Sequence, residues 1–576
     1  MTAFAHPFPF GAAYLGDGRT RFRLWAPRQQ QIDVVIDGSA PQPMTAQAEG
    51  WFELETSCAP GAGYLYRLGS GQDVPDPGSR GQATDVHGPS VVVDPNAYRW
   101  RHPEWRGRPW TETVLYELHA GIHGGFTALQ SDLPRLAALG VTAVELMPIN
   151  DFCGTRNWGY DGVLPFAPDR AYGTPDELKA LIDEAHAQGL MMFLDVVYNH
   201  FGPEGNYLGL YAPQFFRDDI HTPWGSAIDF RQQPVRRFFI ENALYWLNEY
   251  RFDGLRFDAV HAIDDQAWLD EMAAEIRRRT EKGRHVHLVL EHDGNEASHL
   301  RKDYDAQWDD DAHHVLHVLL TGESDGYYSD YADRPAEKLA RYLTEGFIYQ
   351  GEPSPYRKGE RRGTPSADLP LTSFVVFLQN HDQVGNRPFG DRLTTLADPD
   401  ALMAAIALQL LSPHIPLLFM GEEQFARMPF QFFTDYHGTL ADAVREGRRR
   451  EFAAFSGFGG ADIPDPNARE TFDRCRVTEA AEDSFYRGLL TLRHELIVPR
   501  LANTRAIEGK VLGPKAALAR WRLGDGAVLS IATNFEATPV AFVRPSGVPI
   551  VETRKDCALD GQLAGPATIV FIEALA

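Results

Sequence analysis

The sequence predicts an α/β protein built on a (β/α)8 barrel, with a β-sandwich domain before it and an all-β domain after it. Three observations point there. Residues 1–105 carry short strand-like runs punctuated by Gly and Pro. Residues 106–490 alternate short apolar runs with stretches of helical period. Residues 491–576 return to strand-like runs. A chain of 576 residues exceeds what one ordinary core supports, and 44 % hydrophobic residues suffice to fill several.

In the first segment the runs 22–27, 32–38, 51–55 and 63–68 are short and closely spaced, the pattern of a sandwich. In the second, the candidate strands are 114–120, 143–149, 191–197, 254–260, 286–291, 306–308, 373–380 and 415–422. Most are apolar without alternation, as strands buried on both faces must be. The clearest intervening helix spans 174–189. Thr174 is its N-cap, Pro175 suits its first position, and Glu177 completes a capping box. Leu178, Leu181, Ile182 and Ala185 form its apolar stripe, and Gly189 ends it. A doubly wound open sheet is the alternative arrangement of the same elements. The link 198–231 after the third strand is long and without clear periodicity, which marks a functional insertion. The last segment offers strands at 516–523, 527–534, 540–543 and 567–572.

Charge narrows the partners. With 55 basic and 79 acidic residues the net charge is −24, so phosphate backbones and anionic membranes are repelled. A neutral substrate such as a sugar is the better fit, with no nucleic acid and no membrane as partner. The four cysteines, Cys58, Cys153, Cys475 and Cys557, are scattered and read as free thiols in a reducing, cytoplasmic setting. Residues 1–10 lack the basic and apolar regions of a signal peptide. No apolar run approaches the roughly 18 residues of a membrane span. No phosphate-cradling glycine motif occurs, so no nucleotide or redox cofactor is expected.

Polar residues gather where candidate strands end, the place where barrels carry their active sites. The third strand runs into Asp195, Asn199 and His200, the fourth into Arg256, Asp258 and His261. The fifth runs into Glu291, His292 and Asp293, and the seventh into Asn380, His381, Asp382 and Gln383. Glycoside hydrolysis needs one ionised and one protonated carboxyl group. Neighbouring parallel strands lie about 4.8 Å apart, so Asp258 and Glu291 can approach the separation of about 5–5.5 Å used by retaining enzymes. Arg256, two residues before Asp258, shares its face and favours its ionised form. Glu291 follows an apolar run, and burial favours its protonated form.

Segments 195–200, 254–261, 290–291 and 380–382 resemble the signature regions of the α-amylase superfamily, glycoside hydrolase family 13. Segments 291–297, 308–314, 381–390, 420–423, 432–435 and 445–452 are further similar to those of its maltooligosyltrehalose trehalohydrolase family. The resemblance implies Asp258 as nucleophile, Glu291 as acid/base and Asp382 as transition-state stabiliser. It implies contacts from His200, Arg256 and His381 to the sugar at the cleaved bond, or to the carboxylates around it, and Tyr160 stacked beneath that sugar. It implies a substrate groove lined by 310–315 and 381–386. His261, Asp310, Asp311, His313, His314, Gln383 and Asn386 complete the expected substrate contacts. It further implies release of trehalose from maltooligosyltrehalose, downstream of an enzyme that forms that substrate. His292 departs from the smaller polar residue expected after the acid/base.

Plainer readings stand beside these. His314 and His317 are spaced for two metal ligands, but with no clear third partner a helix face or sugar contact is preferred, and no metal is expected. Asp309, Asp310 and Asp311 lack the glycine and distal Glu of a calcium loop and suit a helix N-terminus. Arg448, Arg449 and Arg450 read as a solvated helix face or a family-specific contact. Trp158 reads equally as core or sugar platform. Two other functions remain open: a branching or debranching enzyme acting on α-1,6 links, and a glucan-binding protein without catalysis.

Overall fold

The computed structural model describes residues 4–453, 463–478 and 483–574. Residues 1–3, the start of the segment considered for a signal peptide, lie outside them. The centre is a closed barrel of eight parallel strands. They are Leu115–Leu118, Ala143–Leu146, Met191–Val196, Gly254–Phe257, His287–Leu290, Ala306–Trp308, Phe374–Phe377 and Ile415–Phe419. Each falls within a run expected from the sequence. Most are shorter, because the polar residues at their ends leave the ladder and turn into the loops. The first strand pairs with the eighth, Leu115 opposite Leu417, which excludes the open sheet.

The barrel interior is packed with Leu115, Ala143, Phe193, Val289, Trp308, Phe377 and Leu417. Gly254 shows how tight that packing is. A Cβ there would lie 2.1 Å from the Phe193 ring. Gly254→Ala is therefore expected to overpack the barrel and cost about 1–3 kcal/mol, read as a lowered thermal midpoint; an unchanged midpoint would contradict this account of the site.

Helix Pro175–Ala187 carries both arms of the capping box, and Gly189 follows it at φ 73°. Its buried face includes Leu178, Leu181, Ile182 and Ala185, as its period predicts. No helix among the described residues is long and apolar enough to cross a membrane.

Before the barrel, two antiparallel sheets face each other. One contains Arg19–Trp25 and Trp51–Ser57, the other Ile32–Ile36 and Gly63–Leu68. Phe22 of the first meets Tyr64 of the second edge to face. Strand Gly11–Gly16 was not expected, since its small residues mask alternation. It joins Arg19–Trp25 through Asp17 and Gly18, both at positive φ, the turn that a DG pair favours. After the barrel, a five-stranded sheet includes Arg505–Gly513, Ala516–Arg522, Val528–Asn534, Ala567–Glu573 and Val548–Glu552. Arg505–Gly513 escapes pattern reading because it is an exposed edge strand in which charged, apolar and glycine residues mix without strict alternation. The 198–231 link is not a bare loop. It contains a hairpin, Phe216–Thr222 paired with Gly225–Ile228, whose polar exposed strands hide the apolar run a buried strand shows.

Candidate active site

Arg256 organises the site. It points inward from the fourth strand, 2 % exposed. Its Nη1 donates to Asp195 at 2.6 Å and to Asp258 at 3.0 Å, and its Nη2 donates to Glu291 at 3.0 Å. Its guanidinium lies 4.1 Å from the centre of the Trp308 ring. Register explains the meeting. Phe257 pairs with Leu290 and Val196 with Phe257, so Asp258 and Glu291 leave adjacent strands at one level. A planar fork can hold several carboxylates where a point charge cannot.

Asp258 is fixed from two sides. Arg256 holds Oδ1, and the Asn199 amide donates to Oδ2 at 2.8 Å. Asn199 also bonds the ring of His200. Just after Asp258, Ala259 adopts φ 40°, ψ 46°, a left-handed conformation uncommon outside glycine. That turn directs the Ala259 N–H to Glu291 Oε2 at 2.7 Å. Burial raises the Glu291 pKa above the usual carboxylate range; Arg256 opposes this and Asp258 adds to it. Asp195 is raised by burial to about 7, and its Oδ2 also accepts the Tyr160 hydroxyl at 2.6 Å. Asp195 is thus a buried support for Arg256 and Tyr160.

From the seventh strand, Asp382 accepts a hydrogen bond from Asn386. Asn386 in turn accepts one from Arg448 of helix Gly438–Ala453 at 3.0 Å. Arg448 therefore reaches the site, while Arg449 and Arg450 are exposed. His381 stacks against Tyr160 with ring centres 5.0 Å apart. His200 stacks on Trp224 at the hairpin tip, again at 5.0 Å.

A cleft of about 790 Å³ opens beside these groups. Glu291, Asp382, His261, Asp310, His314, Gln383 and Asn386 line it, all expected from the sequence. Burial and the neighbouring Glu291 raise the Asp310 pKa well above the usual carboxylate range, which favours its neutral form at the cleft wall.

Two expectations are corrected. Asp311 is not placed to meet substrate. Its carboxylate accepts from Asn295, Ile348 N–H, Tyr349 N–H, Tyr331 and Arg362, which satisfies it within the protein. His313 is likewise turned inward, with Nδ1 2.8 Å from the Leu378 carbonyl and Nε2 3.0 Å from the Tyr328 hydroxyl. Helical geometry explains both. On helix Asp310–Thr321 only the face carrying Asp310 and His314 borders the cleft. His317 bonds Glu323 at 2.7 Å. Trp158 is core: it is 4 % exposed and stacks on Phe430.

Sequence reading missed Tyr327, Tyr356, Arg357 and Arg362, which line the cleft from segments without strand or family signal. It also missed Glu117 and Glu145, acids inside the first and second barrel strands. A charged residue within an otherwise apolar strand was the available signal. His292 lies beside His261 and His299, with ring centres 5.9 and 6.4 Å away. Burial lowers its pKa to about 4, so it is a neutral neighbour of Glu291.

Comparison with known proteins agrees with this geometry. Residues 95–210 match the α-amylase catalytic domain, and residues 504–571 match a domain of unknown function, DUF3459. A malto-oligosyltrehalose trehalohydrolase of Deinococcus radiodurans is 42 % identical over 85 % of this chain and 82 % of its own. The chain belongs to the malto-oligosyltrehalose trehalohydrolase family. Trehalohydrolases of this family are glycoside hydrolases of the α-amylase type, and the barrel with its carboxylates is of that type. A solved structure from Salmonella typhimurium, provisionally described as an α-amylase, superposes with a TM-score of 0.93. It is 45 % identical and covers 98 % of this chain and 99 % of its own. A 1,4-α-glucan branching enzyme of Pseudoalteromonas atlantica matches only 42 % of this chain and 38 % of its own, at 32 % identity. The trehalohydrolase family thus accounts for far more of the chain than the branching alternative.

Proposed function

We propose that this enzyme hydrolyses the α-1,4 bond next to the terminal trehalose of maltooligosyltrehalose, with retention, releasing trehalose and a maltooligosaccharide. The observation that carries the reading is Arg256 gripping Asp258 and Glu291 at 3.0 Å each. One guanidinium holds the two carboxyls side by side at the mouth of the barrel. Asp258, held by Arg256 and Asn199, attacks the anomeric carbon. Glu291, whose burial favours the protonated form, gives its proton to the leaving oxygen and then draws one from the attacking water. Asp382, steadied by Asn386, stabilises the oxocarbenium-like transition state. Tyr160, His200 and His381 surround the reacting sugar, and the cleft beyond Glu291 receives the trehalose end.

In this reading residues 106–490 are the catalytic unit, and 1–105 and 491–576 are accessory β-units. The enzyme works in the cytoplasm, where its scattered thiols stay reduced, after an enzyme that forms maltooligosyltrehalose.

Two measurements test the proposal. Maltopentaosyl-trehalose is expected to yield free trehalose, while maltoheptaose is cleaved slowly; equal cleavage of both, or α-1,6-linked products, would move the enzyme to another member of the superfamily. The second is the pH dependence of kcat/KM. Because the Glu291 pKa is raised, the acid form persists above the ordinary carboxylate range and activity falls only as pH rises through that higher value. An alkaline limb near pH 4–5, the range of an unperturbed glutamate, would be incompatible with Glu291 as the acid.

A further inference from the structure

Beneath the carboxylates described above lies an inner layer of acidic side chains that the reaction as written does not use. Glu117 projects into it from the first strand and Glu145 from the second, each 1 % exposed. A carboxylate in a barrel interior is costly unless hydrogen-bonded. Glu117 commits both of its oxygens to one residue of the site. Its Oε2 accepts the backbone N–H of His381 at 2.9 Å, and its Oε1 meets the ring Nδ1 at 2.5 Å. The grip spans the first and seventh strands, which are not neighbours in the barrel.

We propose that Glu117 is a positioning residue for glycoside hydrolysis, which fixes the His381 ring through its backbone N–H and Nδ1 so that Nε2 donates to the sugar over Asp258. The inference rests on the reading of His381 as a sugar contact.

Nδ1 is directed to Glu117, so the opposite ring edge, with Nε2, is the one left for a ligand. Stacking on Tyr160 and an edge contact with Trp158 at 5.5 Å fix the ring plane. Trp308 borders it from the sixth strand at 6.1 Å. Charges reach the ring from several elements: Glu117 on the first strand, Asp382 beside it, Arg256 on the fourth strand, Asp195 on the third, and His119 after the first. Burial works against a charged imidazole there, but Glu117 and Asp382 outweigh it and the His381 pKa is raised. A protonated ring carries a hydrogen on both nitrogens, so Nε2 is a donor while Nδ1 stays on Glu117.

Glu145 provides the contrast. Neither of its oxygens has a hydrogen-bond partner among the described residues, and burial raises its pKa well above the usual range, so it is neutral. Glutamine there replaces one neutral group by another of the same shape.

The test is a double-mutant cycle in the full-length enzyme, with kcat and KM measured on maltopentaosyl-trehalose. Glu117→Gln is expected to lower kcat/KM by about 10–100-fold, mostly in kcat, and Glu145→Gln to leave it within about threefold. Positioning through His381 predicts that Glu117→Gln combined with His381→Asn is no worse than His381→Asn alone. Multiplying losses would assign Glu117 a merely structural role and overturn the inference. Parent-like activity in Glu117→Gln would do the same. Parent-like activity in His381→Asn would instead remove the reading of His381 beneath it. If Glu117→Gln does not accumulate as folded protein, Glu117→Asp, which keeps the charge but withdraws the oxygens by one methylene, carries the same cycle.

Discussion

Asp258→Asn is expected to fold and to lose about 10⁴–10⁶-fold in kcat/KM on maltooligosyltrehalose. The side chain keeps its shape, and Arg256 retains Asp195 and Glu291 as partners at 2.6 and 3.0 Å. The cation is not stranded, so the melting temperature moves by only a few degrees. What disappears is the group proposed to form the bond to the anomeric carbon, and an amide oxygen is far too weak a nucleophile to replace it. Turnover within about tenfold of the parent would rule out Asp258 as the nucleophile, whatever the fate of the fold.

Arg256→Met has the second large effect, and it strikes stability as well as rate. Methionine approximates the volume of the side chain but leaves Asp195, Asp258 and Glu291 facing one another without their shared cation. Breaking a buried ion pair in this way costs about 3–5 kcal/mol. The loss depends on pH in a definite direction. Asp195, pushed up to about 7 by burial even with Arg256 present, is expected to rise further without it. A folded-state pKa above the unfolded one means the folded protein binds more protons. Stability then falls as pH climbs from the ordinary carboxylate range toward the folded value, and the penalty is complete above it. Melting curves from pH 5 to 8 should show the deficit of Arg256→Met growing with pH; a deficit that shrinks would refute this account of the cluster. Arg256→Lys restores the charge but not the fork, so it should recover part of the stability and little of the rate.

Local pattern made most of the architecture legible. Eight apolar runs became eight barrel strands, and the capping residues Thr174, Pro175 and Glu177 placed a helix within a residue or two. The clustering of the carboxylates proposed as catalytic was legible too, because strand period places Arg256 and Asp258 on one face and strand ends place the groups at one mouth. Edge strands were harder: Arg505–Gly513 and the Phe216–Thr222 hairpin are exposed and lack a buried apolar run, and only pairing makes them strands. Asp311 and His313 illustrate a different limit. Both sit beside true cleft residues in the chain, but 100° of helical turn per residue sends adjacent side chains to different surroundings.

Periodicity and order along the chain pointed to the barrel over the open sheet, named the groups that ring its mouth and carried the family resemblance. A linear reading contains both. Which of those groups share a partner is set by the fold in three dimensions. That Arg256 serves three carboxylates and that Asp311 is consumed by Arg362 and two backbone N–H groups depend on how neighbouring strands and loops pack, and that Glu117 reaches His381 depends on barrel closure. Closure brings residues more than 250 positions apart within hydrogen-bond distance, and burial then sets which of them hold a proton.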